Sequence, residues 1–153
     1  MTYKRILVPV DGSPTAAKGM AAAIKLSREG GARLLLLHVV EEYSAFMAPE
    51  AGASIVPILE SLRLSGKRTL EKVARSAAKA GGRPQTVLVE NFGNRVADTI
   101  VKQAKRLRAD LIVMGTHGRR GVKRALLGSD AELVVRNSPV PVLLVPAKGR
   151  GRR

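Results

Sequence analysis

The sequence contains no cysteine and no tryptophan, and only two tyrosines, two phenylalanines and two histidines. The lack of cysteine excludes disulfide bonds, a thiol nucleophile and any metal site built on thiolates. Two histidines are too few for a metal site that uses several imidazole ligands. Because aromatic side chains are so scarce, the core must be aliphatic, formed by Val, Ile, Leu and Ala.

Acidic residues are also few, with 12 Asp and Glu against 27 Lys and Arg, which gives a formal net charge of +15. Such an excess attracts polyanions, such as nucleotides, nucleic acids or acidic lipid surfaces. Residues 147–153 are basic and rich in glycine, and they predict a disordered tail. That tail either keeps the protein soluble or acts as a tether. A tether of this kind would bind nucleic acid nonspecifically or bind a membrane surface.

Long hydrophobic runs are missing as well. The longest, at 34–40, is far too short to span a bilayer. The start of the chain has basic residues but only a short apolar run at 6–10, which predicts a strand and not a signal peptide. We therefore expect a cytoplasmic protein without a membrane span, in which residues 1–146 form one globular domain.

What is present is an uninterrupted alternation of strand and helix patterns. Apolar strand segments lie at 6–10, 34–40, 85–89, 111–114 and 142–145. Helical periodicity begins after Ser13-Pro14, near Ile58, at Asn94 and near Ser129. Residues 41–57 predict a long loop. This alternation predicts an α/β fold, a Rossmann-like sandwich with a parallel sheet and helices on both faces. Prolines bracket the last strand and favour a sheet edge.

The stretch GTHGRRGVKRALLGS, residues 115–129, leaves the end of the fourth strand. In such sheets, ligands bind beyond the carboxyl ends of the strands. The glycine spacing of residues 115–129 is neither that of a P-loop nor that of a dinucleotide fingerprint. Gly115 and Gly118 allow close backbone approach and positive φ, and free amides at the helix start beside Gly128 and Ser129 can bind an anion. The four basic side chains nearby also favour phosphate.

Several of these residues have a plain structural interpretation beside the functional one. Ser129 and Glu132 fit a capping box, which needs no ligand, and the basic cluster fits a solvated face. Asp11 fits either a turn residue or a ligand of ribose hydroxyls or Mg²⁺. We expect His117 to fill a loop without a catalytic role, and His38 to be a buried, hydrogen-bonded core residue.

The spacing G-x2-G-x9-G-S resembles the nucleotide-binding signature of the universal stress protein family, G-x2-G-x9-G-[ST]. The resemblance extends over nearly the whole chain. RILVPVDGSPTAAKG is similar to the opening strand and helix of that family, and LLLLHVV to its second strand. ADLIVMGTHGRRG is similar to its fourth strand and loop, and NSPVPVLLVP to its closing strand.

The resemblance implies an ATP-binding domain with a five-stranded parallel sheet in the order 3-2-1-4-5, usually dimeric. The expected ligand is ATP, with ADP or AMP as alternatives, together with Mg²⁺, for which Asp11 is a candidate ligand. Asp130 departs from the small apolar residue common at that position, so it either weakens phosphate binding or complements the helix dipole. The residues that the resemblance places at the nucleotide are Pro9, Val10, Asp11, Val39, Met114, Gly115, His117, Gly118, Arg119, Gly128, Ser129 and Asp130.

Three functions remain open on the sequence. The first is a regulatory module in stress response, which acts through nucleotide-dependent conformation and a protein partner, with slow ATP hydrolysis or none. The second is a weak ATPase or autophosphorylating protein, in which Ser129 or another hydroxyl receives phosphate. The third is nucleic-acid binding through the basic surface and tail. Against it, the GxxG stretch, a spacing found in the RNA-binding loop of KH domains, here follows a strand. Aromatic side chains that could stack on bases are also few. We also expect a homodimer through Val142–Val145.

Overall fold

The computed structural model describes residues 2–42, 54–117 and 127–146. Within these ranges five strands alternate with four helices. The elements are β1 (Arg5–Pro9), α1 (Pro14–Gly30), β2 (Arg33–Glu41), α2 (Val56–Lys79), β3 (Arg83–Asn91), α3 (Val96–Arg106), β4 (Leu111–Gly115), α4 (Ser129–Asn137) and β5 (Val142–Val145). Most of the predicted loop at 41–57, with Gly118, Arg119 and the predicted tail, lies outside the described residues.

The sheet is parallel, and its strand order is β3-β2-β1-β4-β5. The chain first winds outward from β1 to β3, then returns past β1 to β4 and β5. The predicted α/β fold and strand order are therefore confirmed, and β5 is an edge strand as its flanking prolines indicated. No helix in the described ranges is long and apolar enough to cross a membrane.

Two apolar clusters fill the space on the two faces of the sheet. Alternate strand residues such as Ile6 and Leu34 pack against α1 and α2. The residues between them, such as Leu7 and Leu35, pack against α3 and α4. Since successive side chains of a strand point to opposite faces, this division follows from the continuous apolar runs of β1 and β2.

The helices begin and end where local chemistry dictates. Ser13 caps α1 because its hydroxyl accepts the Ala16 amide at 3.1 Å, and Pro14 follows as the first helical residue. Gly31 ends α1 in the left-handed conformation with φ of 67°. The prediction that Asn94 starts α3 is wrong, because the Asn94 carbonyl accepts the Asn91 side-chain amide at 2.6 Å and Arg95 is the N-cap.

Gly66 lies in the middle of α2, where the sequence pattern is weak. It is buried, and a Cβ at this position would lie 2.7 Å from Cδ2 of His38 and 2.9 Å from a methyl of Leu88. His38 is itself buried, and its Nδ1 lies 2.8 Å from the carbonyl oxygen of Val10. His38 is thus a hydrogen-bonded core residue, as predicted, and α2 needs glycine in order to pack against it.

Candidate functional site

The pairing of β1 with β4 ends before the carboxyl edge of the sheet, where α/β sheets commonly have a crevice. These strands pair only at Ile6–Leu111 and Leu7–Ile112, whereas β1 stays paired with β2 as far as Pro9–Leu37. β4 meanwhile continues alongside β5 to Gly115. The carboxyl ends of β1 and β4 therefore separate where the winding direction reverses, which is the position at which α/β sheets bind ligands.

Three predicted site residues share one face of the sheet at this edge. Met114 and Val39 belong to the apolar cluster beside α3 and α4. Pro9 is in register with Leu37 of the same cluster, so its ring lies on the same face. The structure thus brings Pro9, Val39 and Met114 to one apolar wall at the carboxyl edge.

The main chain of Val39 lies just beyond the last pairing of β1 with β2. The final hydrogen bond between these segments runs from the Val10 amide to the Leu37 carbonyl, at 2.8 Å. In a central strand, the main-chain N–H and C=O groups of successive residues point alternately to the two neighbouring strands. Those of Val39 therefore face the same side as those of Leu37. They are therefore directed past the end of β1, toward the crevice.

Gly115 and Gly128 are required by packing within the protein. A Cβ on Gly115 would collide with Thr15 of α1, whose carbonyl oxygen would lie only 2.9 Å away. A Cβ on Gly128 would lie 2.9 Å from the Thr116 carbonyl oxygen, which already accepts the Gly128 amide at 2.8 Å. Gly115 is not among the described glycines with positive φ, so it does not use the backbone freedom that glycine allows.

The amino end of α4 meets the loop that leaves β4. Its N-cap is Gly128, and no side chain of the described residues makes a capping hydrogen bond there. The predicted capping box is therefore wrong: Ser129 is already the first helical residue, and Glu132 pairs with Arg136 at 2.9 Å. Asp130 is exposed in the first turn, where a carboxylate complements the helix dipole. The first amides of α4 thus have no side-chain acceptor at the N-cap.

Asp11 follows β1 at the same edge and shapes the turn into α1. Its Oδ1 accepts the Ser13 amide at 2.8 Å, and Gly12 between them has a φ of 80°. The turn interpretation of Asp11 is therefore correct. That contact holds the side chain at the carboxyl end of β1.

His117 lies directly after β4 and is only partly buried as a residue. Its Nδ1 is 2.9 Å from the Thr116 hydroxyl. Its Nε2 is a buried atom without a hydrogen-bond partner among the residues that the structure describes. Such an atom is costly to leave unpaired, and this one lies in the loop between β4 and α4.

The sequence analysis missed a charged cluster at the carboxyl ends of β2 and β3. Arg63 of α2 donates through Nη2 to Glu90 Oε2 at 3.0 Å, and the same Nη2 is 3.8 Å from Glu42 Oε1. The Glu42 side chain is fully buried, and neither of its carboxylate oxygens accepts a hydrogen bond within the described ranges. The signal was the Glu41-Glu42 pair that directly follows an apolar strand.

The pKa values of the two carboxyl groups in this cluster are shifted in opposite directions. Burial raises the pKa of Glu42, the charge of Glu90 raises it further, and Arg63 opposes the shift. The hydrogen bond from Arg63 instead lowers the pKa of Glu90. The cluster therefore holds one carboxyl group that favours its protonated form beside another that favours its ionised form.

Comparison with known proteins identifies the fold as that of a family. The sequence profile described as "Universal stress protein family" matches residues 2–146. The chain belongs to that family. This universal stress protein is 38% identical over 143 residues to a universal stress protein of Methanocaldococcus jannaschii, an alignment that covers 94% of this chain and 82% of that one.

Solved structures of other universal stress proteins share its fold. One from Burkholderia pseudomallei is 32% identical, with a TM-score of 0.76 over 94% of this chain and 96% of that chain. Another, from Archaeoglobus fulgidus, was solved in complex with dAMP. It is 26% identical, with a TM-score of 0.64 over 94% of this chain and 98% of that chain.

Proposed function

We propose that this universal stress protein binds an adenine nucleotide in the crevice between β1 and β4. The observation that carries the proposal is the early end of β1–β4 pairing, which separates Pro9 from Met114 at the carboxyl edge. The apolar wall of Pro9, Val39 and Met114 suits a flat base, and the Val39 main chain offers it hydrogen bonds. The dAMP complex of the Archaeoglobus fulgidus relative supports an adenine nucleotide as the ligand class.

The groups along the β4–α4 loop fit the anionic part of such a ligand. Amides at the start of α4, with Gly128 as the cap, suit a phosphate because the helix dipole favours negative charge there. Nε2 of His117, which has no hydrogen-bond partner within the described ranges, supplies a further polar atom in the same loop. Gly118, Arg119 and Ser129 complete the phosphate side in this proposal, and the Asp130 carboxylate opposes it.

ATP with Mg²⁺ is the proposed resident ligand, and ADP and AMP are the alternatives within the same class. Mg²⁺ bound to a nucleotide needs only one or two protein carboxylates, since the phosphates and water supply its other ligands. In this proposal Asp11 binds Mg²⁺ or the ribose hydroxyls. The nucleotide would then change the surface that a protein partner contacts during stress.

Equilibrium titration with ATP, in the presence and absence of Mg²⁺, tests the proposal. Asp11→Asn keeps the oxygen that accepts the Ser13 amide but removes the charge, and we expect it to weaken MgATP binding about tenfold. Gly118→Ala should weaken ATP binding with and without Mg²⁺. Glu71→Gln, an exposed charge removal on α2, is the matched control. Equal affinities of the wild-type protein and both site variants would refute the proposed site.

A further inference from the structure

The amino edge of the sheet carries a row of three arginines on neighbouring strands. Arg5 of β1 is in register with Arg33 of β2, and Arg33 is in register with Arg83 of β3. Residues in register on parallel strands place their side chains on the same face, about 4.8 Å apart from strand to strand. The three guanidinium groups therefore start from a row of Cα positions only about 10 Å long.

These arginines line a groove with a volume of about 580 Å³. Lys4 and Gln85 line the same groove, and none of its lining residues is acidic. All three arginines are exposed. Within the described residues, no ion pair joins Arg33 or Arg83 to a carboxylate. Like charges so close together repel one another, so the row lowers its own energy when an anion binds.

The neighbouring groups leave most of this positive charge available. Arg5 donates one N–H to the Leu107 carbonyl at 3.0 Å, but a guanidinium carries five N–H donors. Asp110 is the nearby carboxylate, and it accepts the main-chain amides of Lys4 at 2.7 Å and Arg5 at 3.0 Å. Among the described residues, Asp110 forms no ion pair with the guanidinium groups of Arg33 and Arg83.

We infer that this groove is a second binding site, for a small anion that carries two or more adjacent phosphate groups. Arginine binds phosphate through paired N–H donors, and a row of arginines can bind successive phosphate groups. The groove volume lies in the range of about 300–1,000 Å³ that is usual for small-ligand sites. Its lining contains no aromatic side chain, so it offers no stacking surface for the bases of a single-stranded nucleic acid.

The groove is separate from the proposed nucleotide site. Arg33 and Val39 lie six residues apart on β2, which corresponds to about 20 Å along a parallel strand. The groove lies at the amino ends of β1, β2 and β3, whereas the nucleotide site lies beyond the carboxyl ends of β1 and β4. The inference therefore does not depend on whether the carboxyl edge binds ATP.

Calorimetric titration with inorganic triphosphate at fixed ionic strength tests this inference. The double variant Arg33→Gln/Arg83→Gln removes two charges from the groove. The double variant Lys72→Gln/Arg75→Gln removes two charges from the exposed surface of α2. We expect the groove variant to bind triphosphate at least about tenfold more weakly than the wild-type protein, and the α2 variant to differ less than about threefold.

Three results would overturn the inference. Equal losses in the two double variants would mean that triphosphate responds only to net charge. A loss in Gly118→Ala, with none in the groove variant, would assign triphosphate to the nucleotide site. A labelled single-stranded oligonucleotide that loses affinity in the groove variant, while triphosphate does not, would mean that the groove binds nucleic acid. Thermal unfolding of each variant confirms that the compared proteins are folded.

Discussion

At the scale of single residues, two of the described glycines are needed for packing and not for backbone conformation. Gly66 gives α2 its close approach to His38, and Gly115 gives β4 its close approach to Thr15. Neither has the positive φ that would demand glycine for backbone reasons. A sequence motif that contains Gly115 can therefore arise from helix–strand packing as well as from ligand binding, and substitution at Gly115 would test the fold before it tests the site.

Gly66→Ala should destabilise the protein despite the better helix propensity of alanine. The new methyl group would overlap the His38 ring, which the hydrogen bond to Val10 holds in place. Overpacking of this kind costs about 1–3 kcal/mol, against about 1 kcal/mol gained from propensity. We expect a net loss of up to about 2 kcal/mol, measured by denaturant unfolding.

Ser65→Ala is the matched control for this prediction, since Ser65 is exposed in the same turn of α2. It should be neutral or slightly stabilising, because it gains helix propensity without a steric conflict. If Gly66→Ala proved as stable as Ser65→Ala, the packing role assigned to Gly66 would be wrong.

At the scale of elements, the Glu42–Arg63–Glu90 cluster ties β2, α2 and β3 together at the carboxyl edge. The buried Glu42 carboxyl group is the unusual member, because the folded protein holds its proton at pH values where the unfolded chain has lost it. Ionisation of Glu42 therefore opposes folding as the pH rises above 4.5, which is the ordinary pKa of a glutamate side chain. The pKa of Glu90 is lowered, so its effect on stability appears at lower pH, where protonation of Glu90 removes stability.

Glu42→Gln should therefore change stability in a pH-dependent way. Below pH 4.5 the wild-type carboxyl group is protonated in both states, and the variant should differ little. As the pH rises through the raised pKa of folded Glu42, the wild-type protein loses stability that the variant keeps. Melting temperatures at pH 4 and pH 8 should thus show a gain for the variant mainly at the higher pH.

The exposed Glu71→Gln substitution provides the comparison, since it removes one negative charge elsewhere on α2. A difference between Glu42→Gln and the wild-type protein that is the same at both pH values would contradict the prediction. It would mean that ionisation of Glu42 does not determine the stability of this junction.

At the scale of the whole molecule, β5 leaves one edge of the sheet open. Leu143 on this strand has 39% of its surface exposed, and Val135 on the adjoining α4 has 47% exposed. An open edge with apolar side chains favours pairing with a second copy. We predict an antiparallel dimer through Val142–Val145, which satisfies two-fold symmetry.

Leu143→Asp should dissociate this dimer, because a carboxylate at the centre of the pairing would be buried without a partner. Sedimentation at micromolar concentration should show a dimer for the wild-type protein and a monomer for the variant. Leu64→Asp changes an apolar residue that is 49% exposed on α2, away from β5, and it should remain dimeric. A wild-type protein that sediments as a monomer would contradict the prediction.

The fold could be predicted from the sequence because its determinants are local. Continuous apolar runs such as Leu34–Leu37 require a strand that is covered on both faces, and signals such as Ser13-Pro14 and Gly31 fix helix ends within a few residues. Predicted element boundaries differ from the observed ones by about two residues, as at β3 and α2. Sequence periodicity becomes weak at helix ends, which fray and often finish in a 3₁₀ turn.

The site could be predicted only in part. The sequence by itself placed the glycine-rich stretch after β4 and Asp11 after β1, because strand order along the chain fixes which loops reach the carboxyl edge. Only the tertiary structure decided that β1 and β4 separate beyond Leu7, that Gly128 and not Ser129 caps α4, that Glu42 is buried beside Arg63, and that Arg5, Arg33 and Arg83 form a row. These features depend on the register between strands and on contacts between residues far apart in the chain, which side-chain periodicity does not encode.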